Sequence, residues 1–208
     1  MKINMFRSIS VVILFYLMSM SANAVKEPPH TVVLKDDKIE LRQYEPTIVA
    51  EVTVTGNMRR AGNSGFRLLA DYIFGNNQNK QNIEVTAPVK KTESTKIEMT
   101  APVSRVENPD KSWVVTFVMP QEWTMETLPE PNNPEVKISE RPGELIATIR
   151  FSGRGSEVAH KKQQIKLEAW LDQQGYRSIA APRFAGYDAP WIPWPFRRNE
   201  VMVPVVKN

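Results

Sequence analysis

The sequence predicts a single α+β domain in which a curved, mostly antiparallel sheet or open barrel carries two helices on its outside. Three observations predict this class: a repeated segment that reads as two strands, a helix after each copy of the repeat, and a strand-rich middle. The chain has 208 residues, of which 41% are hydrophobic and 24% charged. That length and composition suit one domain with a continuous core.

The first 24 residues have the pattern of a secretory signal peptide. Lys2 and Arg7 supply a positive start, an uncharged run follows, and Ala22-Asn23-Ala24 offers the small side chains that signal peptidase needs. A retained membrane anchor is the alternative, but the uncharged stretch is short for a span of about 20 residues. We expect cleavage after Ala24, one mature domain over residues 25–208, a periplasmic or secreted location and no stable membrane span.

The internal repeat is the strongest structural signal. Residues 39–56 align without a gap on residues 136–153, at a constant offset of 97. Each copy reads as a short strand, a turn at Pro46 or Pro142, and a longer alternating strand closed by glycine. We therefore expect two matching strand pairs, one in each half of the domain.

A helix is predicted after each copy of the repeat. In the first half, Asn63 or Ser64 can cap a helix over residues 66–74, which a glycine follows. In the second half, Ser156 can cap a helix over residues 157–174, which a glycine also follows.

The remaining segments give further strands and two loops. Two stretches that end in Thr-Ala-Pro-Val alternate up to their prolines, where they should bend or leave the sheet. The predicted strands are 83–89, 97–103, 112–119, 177–181 and 200–206, for a total of eight or nine with those of the repeat; the predicted irregular segments are 120–134 and 186–200.

Three sequence segments together resemble one family. They are the helix end Asp71-Tyr72-Ile73-Phe74-Gly75, the doubled Thr-Ala-Pro-Val, and the C-terminal Gly186-Tyr187-Asp188-Ala189-Pro190 followed by Arg197-Arg198-Asn199-Glu200-Val201. In this order they resemble the SOUL haem-binding proteins over about residues 31–206.

The resemblance implies a distorted antiparallel β-barrel of two pseudo-symmetric halves, each with a packed helix. It also implies reversible, non-covalent binding of haem or another tetrapyrrole in an apolar cleft bordered by the first helix. For Arg197, Arg198 and Glu200 it implies a structural role in seating the last strand.

The first helix is where we expect the ligand. Leu68 and Tyr72 form a second apolar stripe beside the core stripe, and a stripe of this kind is exposed unless a loop or a ligand covers it. Nearby arginines can pair with propionates, although a role as ordinary surface residues is an equal alternative. The expected binding residues are Arg59, Arg60, Arg67, Leu68 and Tyr72.

No iron ligand is predicted with preference. His30 lies near the start of the mature chain, and His160 is followed by Lys161-Lys162-Gln163-Gln164, which is typical of a solvated helix face. His160 is therefore an unfavoured haem-iron ligand. Tyr72 is the remaining candidate, but an aromatic side chain on an amphipathic helix more often serves packing.

Composition excludes several classes of function. The absence of cysteine excludes a disulfide framework, a thiolate nucleophile, an iron–sulfur cluster and covalently attached c-type haem. Signal removal leaves 25 Lys and Arg against 23 Asp and Glu, with no basic and aromatic block, so nucleic acid is not an expected partner.

We expect a binding protein and not an enzyme. The enzymatic alternative is a carboxylate-dependent hydrolase that would use Glu84 or Glu98, but the alternation of their segments places both on an outward face. A further alternative is an envelope protein-interaction module without a ligand. Trp191, Trp194 and Phe196 are expected to pin an irregular loop to the domain, with a carbohydrate or peptide platform as the alternative.

Overall fold

A computed structural model describes residues 26–79 and 94–208, which form two α-helices and twelve strands. In chain order they are β1 His30–Asp36, β2 Ile39–Tyr44, β3 Thr47–Val54, α1 Met58–Ile73, β4 Asn77–Gln78, β5 Val103–Glu107, β6 Trp113–Val118, β7 Glu130–Pro131, β8 Lys137–Arg141, β9 Leu145–Ser152, α2 Glu157–Gln174, β10 Tyr176–Ser178, β11 Arg183–Gly186 and β12 Arg198–Lys207. The predicted signal peptide and the predicted strand 83–89 lie outside the described residues.

Ten of the strands form one antiparallel sheet. Its order is β1-β2-β9-β12-β11-β5-β6-β3-β8, with β10 paired to β12, and β4 and β7 form a separate pair. The α+β class with two helices is therefore confirmed. The predicted barrel is not closed within the described residues, because β1 pairs there only with β2 and β8 only with β3. No helix in the described ranges is both long and apolar enough to cross a membrane.

The four predicted strands of the repeat are confirmed, as β2 and β3 in the first copy and β8 and β9 in the second. Each strand, however, is hydrogen-bonded to a strand of the other copy. β2 pairs with β9 and β3 pairs with β8. In both ladders the numbers of paired residues add to 188, as for Ile39 with Ile149 and Thr47 with Arg141. A shared register of this kind is what a two-fold axis between the copies produces. The strand order agrees with such an axis, because β2-β9-β12-β11, read inward from the edge strand β1, corresponds strand for strand to β8-β3-β6-β5, read inward from the other edge.

The two faces of the sheet differ in chemistry. The outer face consists of the apolar side chains that alternate along the strands, and it packs against the helices. Leu41 and Val203 lie under α2, and Val115 lies under α1. The opposite face carries polar side chains, which are nevertheless buried, Arg42 at 4% exposed and Glu200 at 0%. This polar inner face leads to the site described below.

Helix α1 begins two turns earlier than predicted. Asn57 is its N-cap, and the Asn57 side chain accepts a hydrogen bond from the Arg60 N–H at 3.0 Å. The prediction of a cap at Asn63 or Ser64 is wrong, because the first two turns bury Met58 and three small residues against the sheet and are stabilised by that packing. The end was predicted correctly, since Gly75 follows the helix at a φ of 121°.

Helix α2 matches its prediction at both ends. The Ser156 hydroxyl accepts a hydrogen bond from the Ala159 N–H, and Gly175 closes the helix in the left-handed conformation at a φ of 72°. A serine before the helix and a glycine after it are therefore sufficient to locate this element.

Among the other segments, one strand was predicted wrongly and several were missed. Residues 97–100 are not in a strand; Ile97 is buried and its N–H donates to the Ile73 carbonyl, so this stretch follows α1 and the sheet resumes only at Val103. β1 and β11 have no counterpart among the predicted strands, nor do β4, β7 and the part of β5 after Val103. The strands expected at 112–119, 177–181 and 200–206 are present as β6, β10 and β12.

Candidate ligand-binding site

A cleft of about 720 Å³ opens where the first residues of β3 meet the last residues of β6 and β8. Residues 26–29 and 120–123 form its other walls. Five prolines line it, which present apolar rings and no backbone N–H; they are Pro28, Pro29, Pro46, Pro120 and Pro142. With Ile48, Val118, Met119 and Trp123, they make a wall that a broad apolar molecule can contact.

The mouth of the cleft carries both signs of charge. The Lys26 ammonium lies 3.0 Å from the Glu98 carboxylate and 3.2 Å from that of Glu122, and these hydrogen bonds raise the pKa of Lys26. The Arg141 guanidinium lies 2.6 Å from the Glu51 carboxylate, and burial lowers its pKa without discharging it. Lys26 and Arg141 are therefore the cations that line the cleft, and each is already paired with a carboxylate.

A second cavity of about 40 Å³ shares five lining residues with the cleft and extends it toward the inner face of the sheet. Tyr44, Ser104 and Met202 line this extension. Arg183 and Glu144 close it with two hydrogen bonds, of 2.5 and 2.8 Å. The cleft thus continues into the polar interior between the two halves.

The innermost polar group is Glu200, whose carboxylate binds three side chains. Arg42 donates to its two oxygens at 2.9 and 3.1 Å, Arg198 donates to one of them at 2.8 Å, and the Tyr187 hydroxyl donates to the other at 2.6 Å. Burial alone would raise the pKa of Glu200, but the hydrogen bond and charge of Arg42 outweigh it and hold that pKa below its ordinary value.

Glu200 is therefore ionised at neutral pH, where it accepts hydrogen bonds and is unsuited to donating a proton. Arg198 extends the network, since its guanidinium also lies 2.6 Å from Glu27, a residue of the cleft wall. Arg198 and Glu200 accordingly have the structural role that the resemblance implied: they fasten β12 to β2 and to the N-terminal segment.

The predicted binding residues of α1 are placed differently from the expectation. Tyr72 is 1% exposed and its hydroxyl donates to the Pro129 carbonyl at 2.8 Å, so a loop covers this side chain. Leu68 is half-buried against the same core cluster. Of the two covers that the sequence left open, a loop or a ligand, the structure places the loop between β6 and β8 over Tyr72.

The arginines of α1 are exposed as expected. Arg59, Arg60 and Arg67 have no carboxylate within 4 Å among the described residues. They do not line the cleft. The structure therefore separates the predicted cations from the cavity that could hold the apolar part of a ligand.

His160 is buried and not on a solvated face, so that expectation is wrong. It shares one face of α2 with Leu167 and Leu171, and its ring centroid lies 5.0 Å from that of Phe151 and 4.9 Å from that of Phe184. Its Nδ1 is 3.0 Å from the Ser156 carbonyl, while Nε2 has no partner among the described residues. Burial lowers the pKa of His160 to about 4.

The carboxylates of the hydrolase alternative and the potential metal ligands can be located only in part. Within residues 26–79 and 94–208, no group of three or more His, Cys, Asp and Glu side chains could hold a metal ion. Glu84 lies outside the described residues. Glu98 faces outward, as its alternation predicts, with a side chain that is 70% exposed and paired with Lys26.

Sequence reasoning missed Arg141 and Trp123 as site residues, and it interpreted Met119, which also lines the cleft, as a core or loop residue. A signal was nevertheless present, because the two turns of the repeat, at Pro46 and Pro142, both line the cleft. Their positions also add to 188, so the axis relating the repeats brings the two turns together. The strand pairing between the copies was the missing information.

The fold and the cleft define a class: an α+β domain of two intertwined halves around a ligand-sized cavity. Within it, the chain belongs to the SOUL heme-binding protein family, whose model matches residues 25–204. No curated protein sequence matches the chain significantly.

Solved structures share the fold at low sequence identity. The EcmrR C-terminal domain superposes with a TM-score of 0.56 at 14% identity, covering 82% of this chain and 98% of that one. A hydrolase from Listeria innocua gives 0.52 at 14% identity, covering 84% and 94%. An uncharacterized conserved protein from Listeria innocua gives 0.52 at 14% identity, covering 81% and 92%. Likeness at this identity establishes the fold and nothing about activity.

Proposed function

We propose that the protein binds haem or a related tetrapyrrole reversibly and without covalent attachment, in the cleft between β3, β6 and β8. The observation that carries this proposal is the cleft itself, about 720 Å³ with proline-rich apolar walls, within the size range of small-molecule sites. Membership of a family named for binding haem, and not for a reaction, supports it.

Apolar contact supplies most of the expected affinity. Removing apolar surface from water is worth about 25 cal/mol per Å², so contact over a few hundred Å² stabilises a complex substantially. Lys26 and Arg141 can meet carboxylates of the ligand, but Glu122 and Glu140 lie at the same mouth and oppose them. We therefore expect haemin affinity to depend only weakly on salt concentration.

The cleft wall also contains a side chain of a type that ligates haem iron. Met119 lines the cleft and carries a thioether, whereas neither histidine lines it. A bound haem would supply its own redox and ligand-binding chemistry. The chain's own contribution is to contact the macrocycle, exclude water with the proline rings and Trp123, and pair with the propionates.

A pair of matched variants tests the site. Thr47→Trp fills the cleft from the first residue of β3, while Thr53→Trp makes the same change at an exposed position of the same strand. In a Soret titration with haemin, we expect Thr47→Trp to lose at least about tenfold in affinity, because the ring occupies space that the macrocycle needs. Thr53→Trp should bind as the unmodified protein does.

The surface of α1 is a second candidate location, favoured by its three arginines, which form no ion pair with any residue that the structure describes. A charge at Leu68 distinguishes the two, since Leu68 lies on α1 and not in the cleft. If Leu68→Asp loses haemin binding with its circular dichroism retained, and Thr47→Trp keeps it, the ligand lies on α1 and the cleft assignment is wrong. If the unmodified protein shows no saturable haemin binding, tetrapyrrole binding itself is rejected.

We also propose that the protein is exported. The positive start, the uncharged run and Ala22-Asn23-Ala24 support export, and the family match begins at residue 25. N-terminal sequencing of the native protein should give Val25. A native protein that begins at Met1 and fractionates with membranes would contradict cleavage.

A further inference from the structure

The proline-rich segment before β12 presents three large aromatic side chains to solvent. Trp191 is 80% exposed, Trp194 51% and Phe196 78%. The expectation that these residues pin the segment to the domain is wrong, because none of them is buried. A concentration of aromatic surface within six residues is a feature of interaction sites.

Hydrogen bonds hold this segment in place. The Arg197 guanidinium donates to the carbonyls of Pro190 and Ile192, the latter at 2.7 Å. The Phe196 N–H donates to the Pro193 carbonyl at 3.0 Å, within a 3₁₀ turn. The aromatic rings are thus displayed from a constrained backbone, and binding to them would cost little additional ordering.

Positive charge accompanies the aromatic rings. The Arg154 guanidinium lies 5.2 Å from the ring centroid of Trp194, and no described carboxylate lies within 4 Å of it. The Arg197 guanidinium is hydrogen-bonded to carbonyl groups, which are neutral and do not offset its positive charge. Asp188 is the single acid of residues 186–199, and it accepts the backbone N–H of Arg198. The segment therefore combines exposed aromatics with an excess of cations.

We propose that residues 190–197, with Arg154, form a docking surface for the interface of a membrane that contains anionic phospholipids. Tryptophan and phenylalanine partition into the boundary between headgroups and acyl chains, and arginine is attracted to anionic headgroups. A glycan fits less well: residues 191–196 are Trp-Ile-Pro-Trp-Pro-Phe, which offer only indole N–H groups to sugar hydroxyls.

Vesicle sedimentation of the full mature chain tests this surface. We expect binding to vesicles of equal parts phosphatidylglycerol and phosphatidylcholine, and weaker binding to phosphatidylcholine alone. The double variant Trp191→Ser/Phe196→Ser should lower the partition coefficient at least about tenfold, since two aromatic contacts are lost. Arg154→Gln should lower it about fivefold on the anionic vesicles only, the effect of one basic residue near such a surface.

Val33→Ser is the matched control, because Val33 is an exposed apolar residue, 58% exposed, on strand β1, which β2 and β9 separate from β12 in the sheet. It should bind vesicles as the unmodified chain does. The proposal fails if the unmodified chain stays in the supernatant with anionic vesicles, or if the double variant sediments equally well. Retention on an insoluble polysaccharide without vesicle binding, or a dimer that the double variant abolishes, would assign the surface to another partner and equally reject it.

Discussion

Glu200 and His160 are two buried ionisable side chains whose charge is handled in opposite ways. Glu200 keeps its charge, because two guanidinium groups and a phenol bind its oxygens. His160 is uncharged at neutral pH, because it is buried against two phenylalanine rings and this burial lowers its pKa to about 4. The free energy of unfolding should therefore depend on each partner of Glu200, and it should depend on pH through His160.

The depressed pKa of His160 predicts a loss of stability in mild acid. The unfolded chain takes up a proton as the pH falls through 6.5, whereas the folded chain does so only near 4, so stability is fully present above 6.5 and falls between these values. Between pH 7 and pH 5 we expect the free energy of unfolding to fall by about 2 kcal/mol in urea titrations.

The His160→Leu variant should lose this part of the pH dependence of the free energy of unfolding, while other buried groups still titrate. The Glu200 carboxyl does not interfere, because a lowered pKa costs stability only below about pH 4.5, its ordinary value. An unmodified protein whose stability is equal at pH 7 and pH 5 would show that His160 is protonated without penalty.

Removal of the Glu200 charge should be strongly destabilising. Glu200→Gln leaves Arg42 and Arg198 without a carboxylate in a buried site, and breaking such a pair costs about 3–5 kcal/mol. Glu140→Gln is the control, since Glu140 is exposed. Urea titration at pH 7 measures both; a loss under about 1 kcal/mol for Glu200→Gln would contradict a structural role for the Arg-Arg-Asn-Glu segment.

At the scale of the element, α1 shows how small residues set the distance between a helix and a sheet. Gly62 and Gly65 are both buried in its first half, against β5 and β6. The sequence prediction ended the helix correctly and began it too late, because glycine is a poor helix former and Asn63 and Ser64 are good caps. Only the packing against the sheet shows that these glycines belong to the helix.

The two glycines should respond differently to alanine. A Cβ at Gly65 would lie 2.5 Å from the Val115 Cγ2 and 2.6 Å from its Cβ, close to the strand itself, so we expect Gly65→Ala to destabilise by about 1–3 kcal/mol. A Cβ at Gly62 would meet the movable end of Arg105, so Gly62→Ala should be neutral or stabilising by up to about 1 kcal/mol. Thermal unfolding of both variants gives the comparison, and equal effects would contradict the packing described here.

Other elements show which sequence signals were sufficient. Helix α2 and the strands of the repeat follow from local patterns, namely a serine cap, a terminal glycine and period-two alternation. The cleft does not, because it depends on which strands pair, and a residue such as Arg141 acquires its position from a partner 90 residues away. His160 was misplaced because its neighbours are exposed while its own face of the helix is not.

At the scale of the molecule, the shared register of the two ladders predicts where the halves can be cross-linked. The chain contains no cysteine, so introduced pairs are unambiguous. Gln43→Cys/Leu145→Cys joins paired positions of β2 and β9, and Ile48→Cys/Glu140→Cys joins the symmetry-related positions of β3 and β8. We expect both pairs to oxidise to a disulfide, because paired residues point to the same face.

Gln43→Cys/Glu144→Cys is the control for register. A shift of one residue turns the second side chain to the opposite face, so this pair should keep two free thiols. Mobility on a non-reducing gel and thiol titration report the result. Cross-linking of the control in place of the paired variants would show that the ladders are out of register.

The exchange of strands between the copies has a consequence for the origin of the chain. If the connection between the copies were cut, the two copies would still pair their strands with each other in the same register on both sides. Two subunits that contact each other through the same surface in this way form an isologous dimer. The pattern is that expected from gene duplication and fusion of a homodimeric ancestor. Because fusion frees the two copies to diverge, equivalent positions no longer need to match, and the cleft between the two turns can carry different side chains on its two sides, Thr47 and Ile48 from one copy and Glu140 and Arg141 from the other.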